Sequence, residues 1–414
     1  MQKTTTPSRR GRRTNWQKVR KFFNDVHLWL GLSSGIIVIA VCLSGTIYTY
    51  NTELRELAAP HLHKVVIPEK GKRLSADSLV GVVEKLAGGA VSSIGIPASP
   101  SRSFEYTVRL EGDKSRFGTT YYVNPYTGAL LGTSKEETSI SKFMVNLFSL
   151  HRWLLLDKIE TPIFGELPNR QLGSYITGTA TILFTLGVMT GLIIWFPNKM
   201  RTWKRGFRIK WSGGWKRLNH DLHNTLAFYS LIFLFLMGAT GPQWSFPWYR
   251  EGMQKALGTY KAPVESGART APREEESRQA DEVPTTRLSI GQYLASANEA
   301  LPYPGDYRIT MPAGNANTLS ITKNRLGFFA PAAGDQLTLD VATARVTETV
   351  IFRDKPFNQR VAGSIKALHV GNLYGQFTKL LYFFACLVAT SLPITGTMIW
   401  LNKMKKKPTR RPKR

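Results

Sequence analysis

The stretch Val26–Thr52, VHLWLGLSSGIIVIAVCLSGTIYTYNT, runs for 27 residues without a single Asp, Glu, Lys or Arg. A helix needs about 20 apolar residues to cross the hydrocarbon core of a bilayer. Three further stretches share this character: Gln171–Asn198, Leu222–Tyr249 and Leu380–Asn402. A helix on a soluble core carries a polar face, and these segments show none. The pattern predicts an α-helical membrane protein with four transmembrane helices, at 26–52, 171–198, 220–249 and 371–402. The slightly negative mean hydropathy of the 414-residue chain is an average over sharply segregated parts.

Lys and Arg outnumber Asp and Glu by 55 to 28, a formal net charge of +27. Residues 1–25, the short loop 199–219 and the tail 403–414 each hold eight basic residues, with Asp25 the single acid among them. These segments therefore carry +23 of the total. A nucleic-acid patch would cluster charge on a folded face, whereas here it flanks membrane spans. By the positive-inside rule the three basic segments, and both termini, are cytoplasmic. The blocks 53–170 and 250–370 then lie on the periplasmic side. The first span exceeds the roughly 7–15 apolar residues of a signal peptide, and Ser44-Gly45-Thr46 offers no clear cleavage site. It is expected to stay as an anchor. Cys42 and Cys386 both sit inside apolar runs, which excludes a disulfide-stapled secreted scaffold.

The two outer blocks read as α+β domains. Ser103–Leu110 alternates like a half-buried strand, and Tyr121–Leu131 reads as strand, tight turn, strand around Asn124-Pro125-Tyr126-Thr127-Gly128. The second block echoes this at Arg308–Met311, Thr318–Ile321 and Gln336–Val346. Residues 262–286, rich in Pro, Glu, Arg and Ser, read as a linker. The spans repeat as well. Thr190-Gly191-Leu192-Ile193-Ile194-Trp195 ends the second, and Thr395-Gly396-Thr397-Met398-Ile399-Trp400 ends the fourth. The unit of histidine, helix, outer domain, histidine, helix occurs twice, the signature of internal duplication.

Four of the seven histidines hold matched places in this frame. His27 and His223 stand at the cytoplasmic starts of spans one and three. His151 and His369 precede spans two and four on the outer side. Neutral imidazole is a favoured axial ligand of haem iron, and two imidazoles from different helices close both axial positions, which suits electron transfer. The bland alternative is an interfacial role like that of Trp29 and Trp153, but four matched positions favour ligation. With no C-x-x-C-H motif, the haems would be b type, two in number, and stacked as a relay. His220, three residues before His223 on nearly the same helical face, is the alternative inner ligand or a neighbour of a propionate. His223 is preferred because it keeps the local frame of His27. For His151 to reach the outer site, Phe143–Leu156 must fold back as an amphipathic helix. His61 and His63 lack partner ligands in the sequence and read as surface residues. Thr-Gly pairs at 177–178, 190–191, 240–241 and 395–396 allow close helix approach or room for a flat macrocycle.

No dinucleotide fingerprint, Walker loop or nucleophile elbow is present. The cytoplasmic parts are too short for a flavin or nicotinamide domain, so electrons would come from a quinol or a separate cytoplasmic reductase. Val26-His27-Leu28-Trp29-Leu30-Gly31-Leu32, Val123-Asn124-Pro125-Tyr126-Thr127-Gly128, Leu150-His151-Arg152, Asp221-Leu222-His223-Asn224, Leu368-His369-Val370-Gly371 and the Thr-Gly-x-x-x-Trp endings together resemble the PepSY-associated transmembrane family. Within it, the chain is similar to inner-membrane ferric-siderophore reductases of bacteria. The resemblance implies two PepSY-like periplasmic domains, b-type haem on transmembrane histidines, and release of Fe(II) from a periplasmic Fe(III)-siderophore. A non-enzymatic envelope protein that binds or inhibits a peptidase is the alternative, as is an electron donor to another periplasmic acceptor.

Overall fold

The computed structural model describes residues 15–110, 118–197, 200–262, 287–312 and 316–405. All but one residue of the linker expected at 262–286 lies outside them, as do residues 1–14 and 406–414 of the basic ends. In chain order the elements are α1 (Asn15–Tyr48), α2 (Asn51–Ala58), α3 (Pro60–His63), α4 (Ala76–Ala87), β1 (Ala90–Ile96), β2 (Phe104–Arg109), β3 (Thr119–Val123) and β4 (Leu130–Thr133). There follow α5 (Ser139–Trp153), α6 (Asn169–Trp195), α7 (Trp215–Thr240), α8 (Pro247–Ala256) and α9 (Ile290–Ala300). The chain ends with β5 (Gly305–Thr310), β6 (Thr318–Arg325), β7 (Asp335–Asp340), β8 (Val346–Val350), α10 (Phe357–Gly363), α11 (Ile365–Val370) and α12 (Gly375–Met404). Two compact units result, one from Met1–Thr49, Asn146–Arg250 and Leu381–Arg414, the other from Tyr50–Val145 and Glu251–Leu380.

The first unit is helical and built for lipid. α1, α6, α7 with its following short turn to Trp244, and α12 are all long and apolar enough to cross a bilayer. Trp29, Ile36 and Ile232 are 68%, 82% and 69% exposed, a surface that water would penalise and acyl chains accept. Within the bundle α1 packs along α6, and α6 along α7. A Cβ on Gly35 would lie 3.1 Å from Pro393, so α1 and α12 come close there. Buried hydroxyls return hydrogen bonds to their own helices: Ser44 to the Ala40 carbonyl at 2.7 Å and Thr46 to that of Cys42 at 2.8 Å. The hydrocarbon offers them no other partner. α1 begins eleven residues before the span expected at 26. Charge marks where the hydrocarbon ends, not where the helix does, and Gln17, Lys18, Arg20 and Lys21 are good helix formers.

The second unit holds one antiparallel sheet of order β4-β3-β2-β1-β5-β6-β7-β8. The sequence predicts two separate outer domains, and each block does fold as a helix followed by a four-stranded meander. The difference lies at the middle. β1 and β5 pair directly, with Ile94 opposite Ile309, and both are fully buried. One core results, in which Leu79 and Val83 of α4 and Tyr293 and Ala297 of α9 cover strand residues of both halves. Periodicity shows which face of a strand is buried, but not which strand lies beside it. Pairing also removes two apolar edges that would otherwise invite aggregation. The outer boundary differs too, because the last part of α5, from Asn146, belongs to the helical unit.

The two halves close equivalent turns with different residues. Gly128, at φ +74°, donates its N–H to the Asn124 carbonyl at 2.9 Å. Ala344, at φ +55°, repeats this toward Asp340 at 3.0 Å, while the Asp340 carboxylate accepts from the Thr343 N–H at 2.9 Å and hydroxyl at 2.7 Å. Those bonds hold an alanine in a left-handed conformation that costs about 1–2 kcal/mol without Gly. Because the core is shared, Ile309→Ala should destabilise the sheet by about 2–5 kcal/mol. Hydrogen exchange should then show β1–β4 and β5–β8 losing protection together. Loss confined to β5–β8 would mean that the halves fold independently.

Candidate functional site

His27 lies on α1 and His223 on α7, and the two rings meet with centroids 6.2 Å apart and planes at 82°. Each is seated on a neighbouring helix. His27 Nδ1 lies 3.0 Å from the Gly187 carbonyl and 3.1 Å from Thr190 Oγ1, both on α6. His223 Nδ1 lies 2.9 Å from Thr395 Oγ1 on α12. Thr190 and Thr395 donate their own hydroxyl protons back to carbonyls of their helices, Leu186 at 2.9 Å and Ser391 at 2.9 Å. Each threonine oxygen is therefore an acceptor toward the imidazole. The Gly187 carbonyl can only accept, which assigns the His27 proton to Nδ1, and the Thr395 oxygen suits the same tautomer in His223, with Nε2 as the lone-pair nitrogen that a metal ligand requires.

The glycine after each threonine makes room for the ring. A Cβ on Gly191 would lie 3.2 Å from His27 Cε1, and one on Gly396 3.3 Å from His223 Cε1. Two of the four Thr-Gly pairs noted in the sequence, 190–191 and 395–396, are thus histidine seats, with the hydroxyl as anchor and the missing side chain as clearance, whereas Gly178 packs against Ser245 and Phe246 instead. His151, on α5, has a seat of the same kind on α1. Its Nδ1 lies 2.9 Å from the Val41 carbonyl, and a Cβ on Gly45 would be 3.1 Å from its Cε1. The sequence pattern missed Ser44-Gly45 because serine stands where the other pairs have threonine, yet Ser44-Gly45 stands as far beyond His27 as Thr240-Gly241 stands beyond His223. α5 forms the segment expected to fold back as a helix only as far as Trp153, short of Leu156. It stops at Leu154 and Leu155, two consecutive non-glycine residues at φ +55° and +63°. That abrupt stop holds the helix end carrying His151, with Thr177 Oγ1 donating to the Arg152 carbonyl at 3.0 Å.

The remaining predicted residues are placed as follows. His220 points away from the pair. Its side chain is 55% exposed, close to Asn224 and to the Asp221 carboxylate at 3.6 Å. His369 lies on α11, partly buried, in the sheet-bearing unit, whereas His151 belongs to the helical unit. His61 Nε2 pairs with Glu136 at 2.9 Å, and His63 packs edge-on against Tyr122 at 4.8 Å. Burial lowers the His63 pKa most, with the neighbouring Glu56 opposing. Among the described residues no three His, Cys, Asp or Glu side chains gather as a metal site.

A haem asks less of the protein, because the porphyrin supplies four of six iron ligands. Two axial imidazoles on one iron would have ring centres roughly 6 Å apart, from Fe–N bonds of about 2 Å plus about 1 Å to each centre. The separation of His27 and His223 meets that requirement, and so do their free Nε2 lone pairs.

The sequence profile of the PepSY-associated TM region matches residues 25–403. The chain belongs to this family. The PepSY-associated match includes His27, His151, His223 and His369, two of the apolar helices whole, the first from residue 25 and the last to residue 403. No curated protein matches the chain.

Proposed function

We propose that this member of the PepSY-associated family is a b-type di-haem reductase of the bacterial inner membrane that passes electrons outward to a periplasmic Fe(III)-siderophore. The observation that carries the reading is the His27–His223 pair, 6.2 Å apart with both Nδ1 protons committed to neighbouring helices. His27 and His223 would hold the inner haem, and His151 and His369 the outer one. When bound, such haems would supply one-electron transfer. Thr190 and Thr395 hold the imidazoles in one tautomer and orientation, and Gly191 and Gly396 leave the space they occupy. The repeated seats support an internally duplicated architecture.

The +23 of charge on residues 1–25, 199–219 and 403–414 supports cytoplasmic termini and a periplasmic sheet unit. The donor would be a quinol or a separate cytoplasmic reductase. A ferric chelate is too polar to enter the hydrocarbon and must receive its electron at the outer boundary. Reduction to Fe(II) weakens hard-oxygen chelation and frees the iron without destroying the carrier.

Reduction of the purified protein by dithionite, followed by stopped-flow mixing with a ferric hydroxamate chelate, tests this reading. The haem bands are expected to return to the oxidised form within the mixing series. Haem that stays reduced against every ferric chelate would remove iron release as the purpose. A second test reads the seats. Gly396→Val should push His223 aside and shift or bleach the inner-haem spectrum, while Gly252→Ala, at a glycine outside the seats whose added Cβ would meet nothing within 4 Å, should not. Unchanged spectra in Gly396→Val would show that the seat does not hold the ligand.

A further inference from the structure

Lys323 points into the sheet unit rather than out of it. It lies on β6, is 1% exposed, and ranks among the largest fully buried side chains. Its Nζ donates to the Leu301 carbonyl at 2.7 Å and to Asn298 Oδ1 at 3.1 Å, and it lies 4.9 Å and 4.7 Å from the ring centres of Tyr303 and Tyr307. A buried ammonium normally has a carboxylate partner, because losing its hydration costs several kcal/mol. Here none of the described acids plays that part. The nearest carboxylate in the register, Asp335, already accepts from the Tyr303 hydroxyl at 2.7 Å and the Phe352 N–H at 2.9 Å, and Arg325 lies 3.8 Å from it. Two neutral oxygens and two aromatic faces offset part of the cost and leave one of three ammonium donors uncommitted.

Lys323 also lines a cleft of about 230 Å³ with Arg73, Ile96, Leu294, Tyr303 and Tyr307 among its walls. Arg73 lines it with its two terminal guanidinium nitrogens donating to the Pro97 carbonyl, at 2.9 Å, and the Ser99 carbonyl, while its buried Nε has no hydrogen-bond partner. Two cations, no paired anion, apolar walls and aromatic faces define a complementary ligand. We propose that this cleft binds a small organic carboxylate, its charge held by Lys323 and Arg73 and its carbon body against Ile96, Leu294 and the two tyrosines. The volume lies below the roughly 300–1,000 Å³ of drug-sized sites, so the occupant is a compact acid or one carboxylate arm of a larger molecule. This goes beyond the redox reading and does not depend on it.

Calorimetric titration of the full chain in detergent with phenylacetate, phenylacetamide and inorganic phosphate tests the site. Phenylacetate should bind, with phenylacetamide at least about tenfold weaker, because a charge-assisted hydrogen bond contributes about 1.5–3 kcal/mol. Phosphate should bind no better than phenylacetamide. Lys323→Met and Arg73→Gln should each weaken phenylacetate by about tenfold or more and leave the haem spectrum unchanged. Absence of phenylacetate binding, or equal affinity for acid and amide, would overturn the proposal.

Discussion

Replacing His223 by Ala is expected to remove one of the two proposed haems, whereas His220→Ala should leave both in place. The ground is geometric. His223 faces His27 across 6.2 Å with its Nδ1 on Thr395, while His220 is more than half exposed one turn earlier, beside Asn224 and Asp221. Two helices contribute to the seat of each ligand, so the loss should be complete rather than a weakening. His27→Ala should give the same loss, because one iron cannot keep a low-spin bis-imidazole spectrum with one of its two ligands gone. Haem content per chain and the low-spin Soret band, read in all three variants, check this. Loss on His220→Ala with retention on His223→Ala would reverse the ligand assignment.

The four spans were legible in the sequence because charge is forbidden in hydrocarbon, so Val26–Thr52 and its three counterparts stand out by absence alone. Their ends were less legible. α1 continues back to Asn15 through lysines and arginines that helices tolerate and bilayer cores do not. Strands and turns of both outer blocks could be read from alternation and from Asn124–Gly128. The β1–β5 pairing could not, because Ile94 and Ile309 are far apart in the chain and nothing local encodes that they meet. At the site, the histidines were visible as rare residues in matched places. Their anchors were half visible: four Thr-Gly pairs stood out, but only the folded helices show that two of them, 190–191 and 395–396, hold a ring. The choice between His220 and His223 needed the same information, since three residues apart they differ by little in the sequence and by burial in the structure.

His369→Ala is expected to abolish fast reoxidation of the reduced protein by an externally added Fe(III)-siderophore while leaving the inner haem bound. On the proposed reading the acceptor stays at the aqueous boundary and depends on the outer site, for which His369 is a proposed ligand. His27→Ala should do the reverse. It should stop delivery from a cytoplasmic donor or quinol and leave a pre-reduced outer haem competent. Equal reoxidation rates in wild type and His369→Ala would separate the electron acceptor from His369. The relay would then need a different outer ligand.

All of this rests on the claim that the seated histidines are haem ligands. The most direct measurement is a pyridine haemochrome assay on the purified full-length chain, with protein quantified independently. Two b-type haems per chain, with one lost in His223→Ala and none in His220→Ala, is the result predicted here. A chain that purifies folded, with its four helices intact, but shows no Soret band and no haem would contradict it.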